Sequence, residues 1–452
     1  MRLQDGQPMR QSGGTALLRR LASSLGFIGL LAGCLASLFF LYGGPSWQAA
    51  SETEASSLSA AELGELIGTP HYTQSDQAQA PTSIPAALAA VFRVPLTNPL
   101  GMLTAQFPAT TQTASPNGAS ESSLLSSLST WETHSNKIAL GWLPLESPSA
   151  SIQTMADNPG INVVSPEWMT LWSADGNVET HVEPEVVRYA HQHHIQVWAM
   201  FDNQFSASLT HAVLSSSAAR AHAVQLVTNA VRDGQLDGVN VDFENLESSD
   251  QAAFTSFVAQ LHQALAPLGA KLSVDITPDI VPLEDDAAYF HAGLASVCDD
   301  IVVMAYDEHW AGDTTPGPVA DVPWVTRAVD DLLDTGVPAD QLILGIPSYT
   351  RFWHVYPDGS VTSEAVADSA VSGILASHHA SSTWNNELGL YYARYAKPEG
   401  YEEVWYAGPQ TWSRKLNLVN QEGLGGVAVW SLSLSNANTW STVVNALRQS
   451  LS

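Results

Sequence analysis

From Trp131 onward the chain alternates short, continuous apolar runs with stretches whose apolar residues recur every three or four positions. The runs at 138–142, 162–165, 196–201, 238–243, 271–276, 301–306, 342–347 and 426–431 predict eight strands. The stretches at 183–193, 219–233, 250–266 and 322–335 carry an apolar stripe of helical period and predict helices between them. Strands alternating with helices imply parallel βα units, and eight such units are the number that closes a barrel. The expected class is therefore α/β, a (β/α)8 TIM barrel spanning residues 131–452. One interval breaks the rhythm. Residues 350–425 hold an aromatic-rich segment at 384–406 and then a helix opened by Pro409, where proline suits the first turn. A small α+β insertion of about 352–408, between the seventh and eighth strands, is predicted, walling one side of the barrel mouth.

The pattern before residue 131 is different. Residues 21–42 are uncharged and mainly apolar, long enough to cross a hydrocarbon core as a transmembrane helix. Arg2, Arg10, Arg19 and Arg20 precede this span and no basic residue follows it until Arg93, which places residues 1–20 in the cytoplasm and everything after Gly43 outside. The sequence Leu31-Ala32-Gly33-Cys34 supports a competing reading, a lipobox cleaved before Cys34 with lipid on its thiol. Either reading tethers an extracytoplasmic domain to the cell membrane. Residues 43–130, rich in Ser, Thr, Ala, Gln and Pro, read as a disordered low-complexity linker, with at most a short ordered element near 84–102.

Charge narrows the partners. With 17 basic and 45 acidic residues the net charge is −28, a surface that repels phosphate backbones, so nucleic acid is excluded as a partner. Two cysteines, Cys34 and Cys298, supply no disulfide framework, and Cys298, just before an apolar run, reads as a buried thiol. The cluster His191-Gln192-His193-His194 falls at a helix end, where histidines complement the helix dipole, and no Cys or Glu stands at ligand spacing.

The chemistry concentrates on the fourth strand. Alternation puts Asn240, Asp242 and Glu244 on one face and Val239, Val241 and Phe243 on the other. The apolar set packs beneath helices, so the polar set climbs through the barrel interior toward the carboxy-terminal rim, where barrel enzymes hold their reacting groups. Asp237, of opposite parity, reads as structural. Asp202 and Asn203 end the third strand on the same rim and are candidate substrate contacts; Arg351 and Trp353 open the loop toward the insertion as candidate subsite residues. Asp275 on the fifth strand points inward with Ser273 and Thr277, either toward substrate or as a partner within the barrel floor.

The run Asp237-Gly238-Val239-Asn240-Val241-Asp242-Phe243-Glu244 resembles the Asp-x-x-Asp-x-Asp-x-Glu signature of glycoside hydrolase family 18, departing only at Asn240. Val303-Met304-Ala305-Tyr306-Asp307 resembles the family's sixth-strand motif, and Ala428-Val429-Trp430 its eighth-strand tryptophan. Residues 164–168, 304–312 and 345–353 resemble its spore-germination, cortex-lytic branch. The resemblance covers residues 137–442 and implies a substrate-assisted reaction in which the sugar's own 2-acetamido oxygen is the nucleophile. It implies Glu244 as the acid and later base, Asp242 as the group that orients the acetamide, and Tyr306 as its hydrogen-bond donor. Asp307, Met304 and Trp430 would line the sugar site, and Asn240 would donate to Asp242, keeping it ionised without a further negative charge. The implied partner is a glycan containing N-acetylglucosamine, peptidoglycan or spore cortex first and chitin-like polymer second; no metal or organic cofactor is implied.

Overall fold

The computed structural model describes residues 137–280 and 288–449. The expected membrane span, the lipobox at Cys34 and the linker lie outside the described residues. No helix among the described residues is long and apolar enough to cross a membrane.

Eight parallel strands close into a barrel. In chain order they are β1 (Ile138–Leu143), β2 (Val163–Leu171), β4 (Gln196–Asp202), β5 (Gly238–Asp242), β6 (Lys271–Ile276), β7 (Asp300–Met304), β8 (Leu342–Pro347) and β14 (Gly426–Trp430). The ring runs β1-β14-β8-β7-β6-β5-β4-β2 and is shut by pairing of β1 with β2, Leu140 opposite Val163. A short β3 (Val178–Thr180) folds back antiparallel on β2. The second strand runs six residues past its predicted end at Ser165. The apolar run stops at Pro166, but alternation resumes beyond it, and a register shift against β4 between Glu167 and Met169 lets the strand continue.

Four helices follow the predicted stripes, α2 (Pro184–Gln192), α4 (Ser217–Gly234), α5 (Gln251–Leu265) and α7 (Val322–Asp334), and three shorter ones, α1 (Pro148–Asp157), α3 (Ala207–Ser215) and α6 (His291–Ala295), stand outside them. Several begin on side-chain caps. Ser216 accepts from Ala219 N before α4, and Asp321 accepts from Trp324 N at 2.6 Å before α7, satisfying amides that no helical carbonyl reaches.

The barrel has two apolar regions, one on each face of the sheet. Outward-facing Val239, Val241 and Phe243 join the large core under the helices, where the Phe243 ring lies 4.9 Å from Phe201 and 5.7 Å from Phe257. Truncating a ring buried this completely costs about 3–5 kcal/mol. Inside the barrel, Leu140, Trp142, Trp198, Met200, Val302 and Ile343 fill the lumen below the mouth. Gly238 permits that filling, since a Cβ there would stand 2.8 Å from both the Trp198 indole and the Lys271 carbonyl.

Between β8 and β14 the chain builds a second sheet. Strands β9 (Tyr349–Val355), β10 (Val361–Ala367), β11 (Ser382–Asn385), β12 (Leu390–Lys397) and β13 (Gly400–Tyr406) pair antiparallel in the order β10-β9-β13-β12-β11. Helix α8 (Asp368–Ser377) covers one face, burying Val371 and Leu375 against Phe352, Ala393, Tyr395 and Val404. The opposite face carries Arg351, Trp353, Tyr392 and Trp405, as the strand registers dictate. Helices α9 (Pro409–Gln421) and α10 (Ala437–Gln449) complete the outer ring.

Candidate active site

Alternation on β5 sends Gly238, Asn240 and Asp242 into the lumen, with Glu244 two residues above Asp242 at the mouth. Asn240 has no exposed surface. Its Oδ1 accepts from Trp142 Nε1 (2.9 Å) and Ser165 Oγ (3.0 Å), while its Nδ2 donates to Ser273 Oγ (3.0 Å) and Asp275 Oδ1 (2.6 Å). Both amide hydrogens go to β6, so the expected bond from Asn240 to Asp242 does not form; the neighbouring strand offers two acceptors nearer the amide plane's reach. Asn240 thereby sits beneath the barrel mouth as a knot among β1, β2, β5 and β6, with its bonding capacity used within the protein.

Asp242 Oδ1 is buried and has no hydrogen-bond partner. Burial first, then the nearby carboxyls of Asp202 and Glu167, push its pKa up to about 7. Asp275, 1% exposed, is raised well above the ordinary carboxyl range by burial and by Asp242, against hydrogen bonds from Asn240 and Trp142. Asp202 stands opposite Asp242 in the β4–β5 register. It accepts from Thr170 Oγ1 (2.7 Å) and from Gln204 N (2.8 Å), yet burial still raises its pKa. Glu167 on β2 is likewise driven to about 7, chiefly by burial. Four carboxyls from β2, β4, β5 and β6 therefore converge on one lumen.

Asn203 is 1% exposed and turned toward the protein, away from the mouth. It donates to Glu244 O (2.7 Å) and Thr210 Oγ1 (2.8 Å), and accepts from Glu244 N (3.1 Å) and Phe205 N (3.2 Å). With those four contacts its amide is occupied in fixing the backbone of Glu244. Tyr289 adds a bond from its hydroxyl to Phe243 O at 2.7 Å. The turns after these strands use left-handed backbone at Gln204, Phe205, Asn245 and Asp307, conformations that non-glycine residues adopt at some cost.

Across the mouth, Tyr306 lies just beyond β7 with its ring edge-on to Trp142 at 6.5 Å, and burial, Asp275 and Asp242 raise its pKa. The hydroxyl thus stays protonated and able to donate. Trp430 ends β14 with its ring 5.6 Å from Trp142. Met304 is buried at the end of β7. Asp307 accepts from the Tyr349 hydroxyl, and burial raises its pKa against that bond. Arg351, beside Asp307, donates to Ser363 Oγ at 3.3 Å, and its Nε is buried without a partner.

Four residues of this arrangement carried no assigned role in the sequence. Trp142 contacts Asn240, Asp275, Tyr306 and Trp430, but its only signal was a tryptophan on the lumen side of the first strand. Ser165, Glu167 and Tyr349 stood inside motifs already singled out, yet their partners lie on other strands. Asp237 does as its parity indicates, accepting from Val197 N and pairing with His191, both at 2.8 Å. Cys298 is buried, its thiol held near the Asp300 carbonyl and its pKa pushed up by burial.

A second cleft is not lined by Glu244. About 560 Å³ in volume, it sits on the insertion between Trp384, Tyr392 and Trp405, with Asn385, Asn386 and Glu387 at its rim.

Comparison with known proteins places this architecture. The chain is 30% identical over 235 residues to a putative sporulation-specific glycosylase, YdhD, of Bacillus subtilis, a match covering 51% of this chain and 55% of that protein. It is 25% identical over 221 residues to the cortical fragment-lytic enzyme of the same organism, covering 48% and 51%. The chain thus spans about half the length of these curated relatives. In fold it resembles the C-terminal domain of a putative chitinase from Desulfitobacterium hafniense, with a TM-score of 0.65, 24% identity and coverage of 70% of this chain and 100% of that one. Residues 151–434 match the model of glycosyl hydrolases family 18, and the chain belongs to that family.

Proposed function

We propose that the protein is a retaining, substrate-assisted glycosidase that cleaves β-linkages of N-acetylglucosamine in peptidoglycan or spore-cortex glycan. The observation that carries this reading is Asp242 Oδ1, a buried, unpartnered acceptor two residues below Glu244 and facing the lumen. Leaving such an acceptor unsatisfied is costly, and a substrate N–H aimed at it recovers the bond. An acetamide held there by Asp242, with Tyr306 donating to its oxygen, has that oxygen positioned below the anomeric carbon. Glu244 gives its proton to the leaving glycosidic oxygen as the acetamide oxygen forms its bond to carbon. Asp242 then faces the positive oxazolinium, and Glu244 removes a proton from the water that opens it. Trp430 supplies the apolar floor, with Met304 beside it, and Asp307 with its partners Tyr349 and Arg351 closes the side nearest the insertion.

Two relatives support the wall-glycan substrate: one is named a sporulation-specific glycosylase and one a cortical fragment-lytic enzyme. A relative named di-N-acetylchitobiase, 25% identical over 224 residues, keeps chitooligosaccharides as the second reading. The cleft between Trp384, Tyr392 and Trp405 has the aromatic faces and amide rim that stack and hydrogen-bond sugars, and it extends the site for a polymer. We place the barrel outside the membrane, tethered through residues 21–42 or through lipid at Cys34, on the strength of the uncharged apolar run and the arginines before it.

The test is separate digestion of purified peptidoglycan, cortex glycan and chitooligosaccharides by the full chain, with Glu244→Gln as control. Release of reducing ends from peptidoglycan or cortex, lost in Glu244→Gln, is the expected result. Cleavage of chitooligosaccharides alone would transfer the assignment to the second reading, and binding without cleavage of any substrate would leave a glycan-binding module.

A further inference from the structure

Asp279 after β6, His291 at the start of α6 and Asp331 on α7 bring one imidazole and two carboxylates together. Their candidate ligand atoms all lie within 4.8 Å of one another. His291 is only 4% exposed, and its Nε2 is buried without a hydrogen-bond partner, 3.8 Å from Asp279 Oδ1.

The hydrogen bonds fix which ring nitrogen carries the proton. Thr335 Oγ1 donates to Asp331 O (2.7 Å), with Leu332 O a longer alternative (3.2 Å), so its hydrogen is committed to carbonyls. The 2.8 Å contact between Thr335 Oγ1 and His291 Nδ1 then requires Nδ1–H to donate. Nε2 is left with a lone pair directed at two acidic side chains. A lone pair and two carboxylates facing one space repel each other unless a cation lies between them.

We propose that this cluster is a structural zinc site, with His291 Nε2, Asp279 and Asp331 as ligands and water completing a tetrahedron. Imidazole suits zinc, and one nitrogen with two carboxylates leaves room for a fourth, water ligand. Ligand atoms around tetrahedral zinc stand about 3.3 Å apart, so the cluster needs only a small contraction. Its outer contacts are those of a metal-ligating histidine. Thr335 holds the ring through Nδ1, and Asp279 N donates to Asp331 Oδ2 at 3.0 Å, orienting that carboxylate. The ion would pin the segment after β6 to α7, reinforcing the bond from Asp279 N to Asp331 Oδ2. A second cluster, His211, Glu247 and Asp250, lacks these features: His211 Nδ1 already contacts both Asp250 oxygens, at 2.9 and 3.1 Å, and His211 is exposed.

The experiment uses the full chain, stripped with a chelator and titrated with Zn²⁺ by calorimetry and with Co²⁺ by visible absorption, alongside thermal melts. One Zn²⁺ per chain, a tetrahedral Co²⁺ spectrum and a higher melting temperature with Zn²⁺ are expected. His291→Ala abolishes all three. Because His291 is buried and its variant risks misfolding, the exposed Asp279→Asn carries the same test and weakens Zn²⁺ at least tenfold, while His211→Ala leaves binding unchanged. Absence of a stoichiometric site, binding unaffected by Asp279→Asn, or binding lost in His211→Ala overturns the proposal.

Discussion

Asn203 grips Glu244 by its backbone, donating to its carbonyl at 2.7 Å and accepting from its amide at 3.1 Å. The side chain of Glu244 therefore springs from a main chain fixed by its neighbour strand, in a turn where Asn245 takes left-handed backbone. Asn203→Ala should lower kcat at least tenfold with little change in KM, since the displaced group acts in the transition state. Stability should fall by about 1–3 kcal/mol, the cost of leaving buried polar groups unpaired. Asn203→Asp keeps the acceptor for the Glu244 amide but sets a buried carboxylate oxygen against the Glu244 carbonyl, so it should recover neither the stability nor the rate. An equal fall in kcat and kcat/KM, beside a circular dichroism melt, is the measurement. A change confined to KM would place Asn203 in substrate binding after all.

The proposed acid and its partner should separate in their effects. Glu244→Gln should cost about 10²–10⁴ in kcat, the usual range for a positioned general acid. Asp242→Asn keeps shape and removes charge, so it should lower kcat on acetamido substrates while raising stability at neutral pH. Paired kinetics and melts at one pH decide this, and an Asp242→Asn protein that melted lower than wild type would contradict it.

That gain in stability follows from the sign of the pKa shifts. Glu167 and Asp242 are raised to about 7, so between the ordinary carboxyl range near 4 and pH 7 the folded protein binds protons that the unfolded chain has released. Their protonated, stabilised form is complete below about pH 4, and the contribution is lost as pH rises through 7. Asp300, Glu308 and Asp368, each raised to about 7 mainly by burial, act in the same direction. The melting temperature should be higher at pH 5.5 than at pH 8, and Glu167→Gln should flatten the slope and raise the melt at pH 8 by on the order of 2 °C. A melting temperature that climbed from pH 5.5 to pH 8 would be incompatible with this.

Asn240→Asp offers a sharper test of the lumen. It replaces a donor, 2.6 Å from Asp275, with a carboxyl, and it removes the bond to Ser273. The loss should be about 2–4 kcal/mol at pH 7.5, as for other disrupted buried polar networks, with partial recovery at lower pH as one carboxyl is protonated and donates to the other. Denaturant melts at pH 5 and pH 7.5 measure it.

On the insertion, Trp384→Ala and Tyr392→Ala should raise KM for polymeric glycan several-fold and leave short reporter substrates unaffected. Stacking faces far along a chain are reached only by long substrates. Equal losses on both substrate lengths would return these rings to a packing role.

Much of the architecture was legible because its cause is local. Gly238, Asn240 and Asp242 reveal their face by alternation alone, and the outward Val239, Val241 and Phe243 confirm it by joining the core under the helices. The extension of β2 was hidden because Pro166 interrupts the apolar run, although pairing continues past it. The site's supports were hidden for a related reason. Asn240 meets Trp142 across 98 residues of sequence and Asp275 across 35, and nothing in the spacing of an asparagine indicates which of several inward neighbours will receive its protons. Asn203 likewise looked like a rim residue by position, whereas only the fold shows its amide turned back onto the neighbouring strand.

The convergence of Glu167, Asp202, Asp242 and Asp275 on one lumen decides how the site responds to acidity. Each of these carboxyls is raised by burial, and Glu167 and Asp202 act on Asp242 as Asp242 acts on Asp275. Protons in such a group are held in common, so an inflection in a pH–rate profile belongs to the set and not to one side chain. Neutralising any member changes how readily the others ionise, and a substitution on β2 retunes a group on β5. The pH optimum is in this sense a property of the whole ring of strands.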